Sequence, residues 1–178
     1  MFDYSDLFES YCKENSLNLT LSFVMPSGYE TANGTFETVT KTVFINADLL
    51  RNSPDYEKAF FLFHELRHAS QNLCPEKFSD MITRSIQYII MYDGTCYKII
   101  DGDYHECKLD GSAEYFTNIY LGQPYEVDAN TFAYEQVKNI YGDSEDLRNL
   151  FNFWMPRESV SDDLYLSVYD MIDEKTGS

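Results

Sequence analysis

Two histidines four residues apart, His64 and His68, sit inside a segment whose apolar positions repeat as a helix. Leu62, Leu66, Ala69 and Leu73 form one stripe, and the histidines lie off it, on a face with Phe61 and Asn72. Ser53 is placed to cap this helix, with Pro54 in the first helical position, and Cys74-Pro75 interrupts it after Leu73. Four residues make about one helical turn, so both imidazoles can reach one point in space. Such a helix packs on the core with one face and offers ligand atoms from another. Its apolar run, Ala59 to Phe63, stops at His64 and is far too short to cross a bilayer.

The rest of the chain arranges itself around that helix. Tyr4, Leu7, Phe8 and Tyr11 predict an amphipathic helix over 3–14. Leu17 to Met25 alternates as a half-buried strand, and Thr35 to Asn46 reads as a second. Asn33-Gly34 is a turn signal of the kind that joins hairpin strands. Phe78 to Tyr92 has helical spacing. Thr95 to Leu109 predicts a hairpin turning at Asp101-Gly102, followed by a short helix near Ser112–Leu121. Pro124 opens a helix that Gly142 closes, and two more are expected over Ser144–Trp154 and Ser161–Glu174. The expected class is α+β: a small twisted sheet on a mostly helical domain. Residues 1–178 contain no linker or repeat and read as a single domain.

Composition narrows the possible roles. With 15 Tyr and 13 Phe the chain has ample large side chains for a core. Its 13 Lys and Arg against 30 Asp and Glu give a net charge of −17, a surface that repels phosphate backbones and suits a basic partner. Direct nucleic-acid binding is therefore not expected. An acidic surface also serves solubility alone. The four cysteines form no Cys-x-x-Cys pair and read as reduced thiols, not as a zinc ribbon. The first residues lack the basic and apolar stretches of a secretion signal, so the expected location is the cytoplasm, with no membrane association.

His-Glu-x-x-His on a helix is metal-site chemistry: the histidines ligate and the intervening Glu65 stands beside the metal-bound water as a base. A catalytic zinc takes three protein ligands and leaves a position open. His105, the only other histidine, falls in the expected hairpin, so a helical carboxylate is the natural third ligand. Glu126 in the first turn of the later helix is the leading candidate, with Asp128 and Glu114 behind it. Asn130, one turn beyond Glu126, could hydrogen-bond the second ring nitrogen of a ligating histidine. The small Ala129 and Ala133 would let the two helices approach. Tyr115, Tyr120, Tyr125 and His105 are candidate donors to a developing oxyanion.

His64-Glu65-Leu66-Arg67-His68 followed by Glu126-x-x-Ala129-Asn130-x-Phe132-Ala133 resembles the ImmA/IrrE-type metallopeptidases, a gluzincin-like group. The resemblance covers roughly Val43 to Ala133, and Val43-Phe44-Ile45-Asn46 is similar to the strand leading to their active helix. It implies a zincin-like fold, Zn2+ on His64, His68 and Glu126, and Glu65 as the general base of a peptidase. It further implies regulatory proteolysis, for which a basic DNA-binding repressor is a fitting substrate. Three features depart from the pattern. Residues 76–121 lengthen the gap between the motifs as an insertion of a helix and a hairpin would. Arg67 stands where those enzymes usually have Gly, and no Leu-Met-Pro-like ending follows Ala133. The rival reading is a non-catalytic acidic binding or inhibitor protein with a structural zinc, against which the presence of Glu65 speaks.

Overall fold

The computed structural model describes residues 2–178 and has the α+β class expected of the sequence. In chain order the elements begin with α1 (Tyr4–Asn15), β1 (Thr20–Ser22), β2 (Gly34–Glu37), β3 (Thr42–Ile45) and α2 (Asp55–Leu73). They continue with α3 (Asp80–Ser85), β4 (Tyr88–Ile90), β5 (Thr95–Ile100), β6 (Asp103–Lys108) and α4 (Ala113–Leu121). The last three are α5 (Pro124–Tyr141), α6 (Glu145–Phe153) and α7 (Asp162–Thr176). The chain divides into two compact units. One comprises the residues up to Pro75 with Asp128–Phe153, and the other Glu76–Val127 with Trp154–Ser178.

In the first unit, β3 is the centre of a three-stranded sheet, parallel to β1 and antiparallel to β2. Val43 and Ile45 of β3 are fully buried, and β2 and β3 lie against α2. The apolar stripe of α2 is sealed in the core: Leu62, Leu66 and Ala69 have no exposed surface. Complete burial of a leucine side chain contributes roughly 1.5–3 kcal/mol, so packing holds this helix in place. Asp3 caps α1 by accepting from the Ser5 amide. Tyr11 of α1 shares a 2.6 Å hydrogen bond with Ser70 of α2.

Four local expectations change here. The strand expected over Leu17–Met25 shrinks to Thr20–Ser22. The run expected as one strand over Thr35–Asn46 is two strands that reverse at residues 38–41, with Lys41 at a positive φ of 52°. Asn33-Gly34 is consequently not the hairpin turn; Gly34 opens β2. The Thr-rich run suits both arms of the hairpin, and its turn carries none of the Gly or Asn that would mark it. Lastly, α2 starts at Asp55 with Pro54 at the cap position and no side-chain cap, so Ser53 does not play that part. Asp55 and Glu57 in the first turn complement the helix dipole instead.

In the second unit, β4, β5 and β6 form an antiparallel sheet. The β5–β6 turn is Asp101-Gly102 as expected, with both residues at positive φ (51° and 87°), the geometry of a tight type I′ hairpin. Tyr88, Ile90 and Cys96 of this sheet bury with Phe116 and Ile119 of α4 and with Tyr165, Val168, Tyr169 and Ile172 of α7. The helix expected over Phe78–Tyr92 stops at Ser85. Its second half becomes β4, where Tyr88 and Ile90 face the core and Ile89 alternates outward. Aromatic and β-branched residues that can pair with β5 override the helical spacing.

A candidate metal centre

The middle of α2 carries His64, Glu65 and His68. The histidine rings turn their Nε2 atoms towards each other at 2.9 Å. Two imidazole lone pairs that close need a proton or a cation between them. Glu126 brings its carboxylate to the same place, and one ligand atom from each of His64, His68 and Glu126 lies within 4.8 Å of the others. Glu126 is carried by the first turn of α5. Tetrahedral ligation at about 2.0–2.1 Å places donor atoms about 3.3 Å apart. Two imidazoles and a carboxylate suit a zinc-like divalent ion in number and type of donor.

The other candidate carboxylates are engaged or elsewhere. Asp128 receives two hydrogen bonds from Arg67, Nε at 2.7 Å and Nη2 at 3.0 Å, and a third from Gln71 Nε2 at 2.8 Å. Glu114 is exposed in the first turn of α4 and is not among the three grouped residues.

Glu65 is buried at 6 % exposure, one residue along from His64. Its side chain lies against Gly34 of β2: a Cβ built there would stand 2.7 Å from Glu65 Cγ and 2.9 Å from the Phe44 carbonyl oxygen. The bare backbone of β2 thus makes the space that Glu65 occupies.

His68 Nδ1 faces Gln71, whose Oε1 lies 2.9 Å away. Asn130 is buried on α5. Gln71 is three residues after His68 on the same helix, and that spacing was the signal in the sequence that could have found it. Nothing comparable in the sequence points to Gly34, because the contact depends on where β2 lies.

Among the candidate donors, Tyr120 and Tyr125 have hydroxyls pushed up in pKa, first by burial and then by the Glu126 charge. Both stay protonated and able to donate. The hydroxyl of Tyr115 is also raised by burial, with Cys96 as its electrostatic neighbour. His105 is exposed on β6, across from Lys98.

The four cysteines are free thiols, and burial pushes Cys96 up to about 12, which keeps it inert as a nucleophile. Among the described residues no helix is long and apolar enough to cross a membrane. No family model matches the chain, and neither a curated protein nor a solved structure matches it.

Proposed function

We propose that this chain is a zinc-dependent metallopeptidase of the ImmA/IrrE type, with a zincin-like arrangement of α2 against β2 and β3. The observation that carries this reading is the convergence of His64, His68 and Glu126 beside a buried Glu65. A zinc ion held there supplies Lewis-acid polarisation of a carbonyl and a water acidified to a pKa of about 7. Glu65 accepts the proton of the attacking water and delivers it to the leaving amine. Gly34 keeps that carboxylate in its place. Tyr120 or Tyr125, protonated and close to Glu126 in charge terms, supplies a hydrogen bond to the oxyanion. The substrate class that fits the −17 charge is a basic protein, of which a DNA-binding repressor is one kind, and the expected setting is the cytoplasm.

Two variants test the reading. The wild type should purify with about one zinc per chain, and Glu126→Ala should lose most of it. Glu65→Gln should keep the metal while hydrolysis of a basic peptide library falls by about 100-fold or more. Full zinc in Glu126→Ala would move the third ligand elsewhere. A wild type with full zinc and no hydrolysis would turn the reading to a binding protein with a structural metal.

A further inference from the structure

We propose that Asp128 and Gln71 form a relay that selects the ring tautomer of His68, and so sets how tightly His68 can ligate a metal. This rests on the metal-site reading above but concerns residues outside the ligand set. An ionised carboxylate can only accept hydrogen bonds. The Gln71 side-chain nitrogen donates to Asp128 at 2.8 Å, which fixes the orientation of the amide and leaves its oxygen facing His68 Nδ1 at 2.9 Å. An amide oxygen also only accepts, so the His68 proton must sit on Nδ1. Nε2 is then left with its lone pair on the side of His64 and Glu126.

Arg67 anchors the relay. Its guanidinium forks onto both oxygens of Asp128 and lies 4.7 Å from the centre of the Phe132 ring, one turn further along α5. The pair is largely shielded, with side-chain exposures of 26 % and 19 %. This gives a reason for a long cationic side chain inside the His-Glu-x-x-His segment. Arg67 holds the carboxylate that orients Gln71, so it and Asp128 are positioning residues.

The substitution Asp128→Asn tests the logic, because an asparagine amide can donate as well as accept. In that variant the Gln71 amide is free to turn over, present its nitrogen to His68 Nδ1, and drive the His68 proton onto Nε2. In the full chain stripped of metal, 15N spectra of the imidazoles should place the His68 proton on Nδ1 in the wild type and largely on Nε2 in Asp128→Asn. Zinc affinity, read by competition with a chromophoric chelator, should fall about 10- to 100-fold. Adding Gln71→Glu to that variant restores a pure acceptor opposite Nδ1, and should return the tautomer and most of the affinity. A role in packing alone would not be rescued by that exchange.

An unchanged His68 tautomer in Asp128→Asn, or no rescue in the double variant, overturns the proposal. If Asp128→Asn does not fold, Gln71→Met reads the same point, since loss of the acceptor should abolish the Nδ1 preference, and its persistence would refute the relay. A wild type with the Nδ1 proton but no affinity for zinc would defeat the metallopeptidase reading and leave the relay supported.

Discussion

The residue that most sharply limits this site carries no functional group. Gly34 faces Glu65 so closely that a single methyl group would stand 2.7 Å from its Cγ, and the next neighbour is a fixed backbone carbonyl, that of Phe44 at 2.9 Å. The carboxylate can swing away but the strand cannot, so Gly34→Ala should be accommodated by moving Glu65. On the metallopeptidase reading the expected result is a fall in kcat of about 10-fold or more with zinc content unchanged. Overpacking should also lower stability by about 1–3 kcal/mol. Peptide hydrolysis and metal analysis on the same preparation would check this, and an unaltered kcat would mean that Glu65 does not need the gap. Sequence reading singled out Glu65 from its neighbours His64 and His68, one residue and three residues away. It passed over Gly34, which it took for a hairpin turn, because the meaning of that glycine comes from Glu65 on a separate element, α2.

At the scale of elements, what was legible followed from local signals. Helix α5 has Pro124 at its start and Gly142 at a positive φ of 84° after its end, and both bounds were readable. Helix α3 and strand β4 were not separable, since residues 78–92 keep helical spacing throughout and only pairing with β5 decides otherwise. That sheet is also where α7 is fastened. Lys98 of β5 bonds Asp173 of α7 at 3.0 Å and the Tyr88 hydroxyl at 2.6 Å, and Tyr88 donates in turn to Asp173. Burial alone would raise the Asp173 carboxyl, but the bonds from Lys98 and Tyr88 outweigh it and hold the group below its usual range. Burial likewise acts to lower Lys98, and its partners reverse that to a net rise. A lowered carboxyl stabilises the fold above its unfolded value of about 3.9, and that contribution is lost as pH falls through the folded value. A raised lysine stabilises below about 10.4 and loses its contribution as pH climbs through the folded value. The clasp should therefore hold between roughly pH 4 and pH 10. Asp173→Asn should cost about 1–3 kcal/mol at neutral pH and flatten the acid side of the melting-temperature curve. An acid limb as steep as that of the wild type would show that the clasp is not what titrates.

For the whole molecule the dominant quantity is charge. Acidic residues outnumber basic ones in each of the two units, so the excess of −17 is not confined to one patch. Long-range attraction of this kind acts on the rate of encounter and is screened over about 10 Å at 0.1 M salt. On the peptidase reading proposed above, a basic peptide should therefore be cut with a higher kcat/KM than a neutral peptide of the same cleavage sequence. The ratio should be about 10-fold at low ionic strength and should shrink towards one at about 1 M salt, where screening acts within roughly 3 Å. The gain should appear in kcat/KM, while kcat at saturation stays similar for both peptides, because charge far from the reacting atoms assists arrival and not chemistry. Paired peptides differing only in flanking Lys and Glu residues, assayed across a salt series, separate this from specific recognition. A preference for the basic peptide that persists unchanged at high salt would locate selectivity in short-range contacts with particular side chains. No preference at any salt would remove the charge of the chain from the account of its substrates.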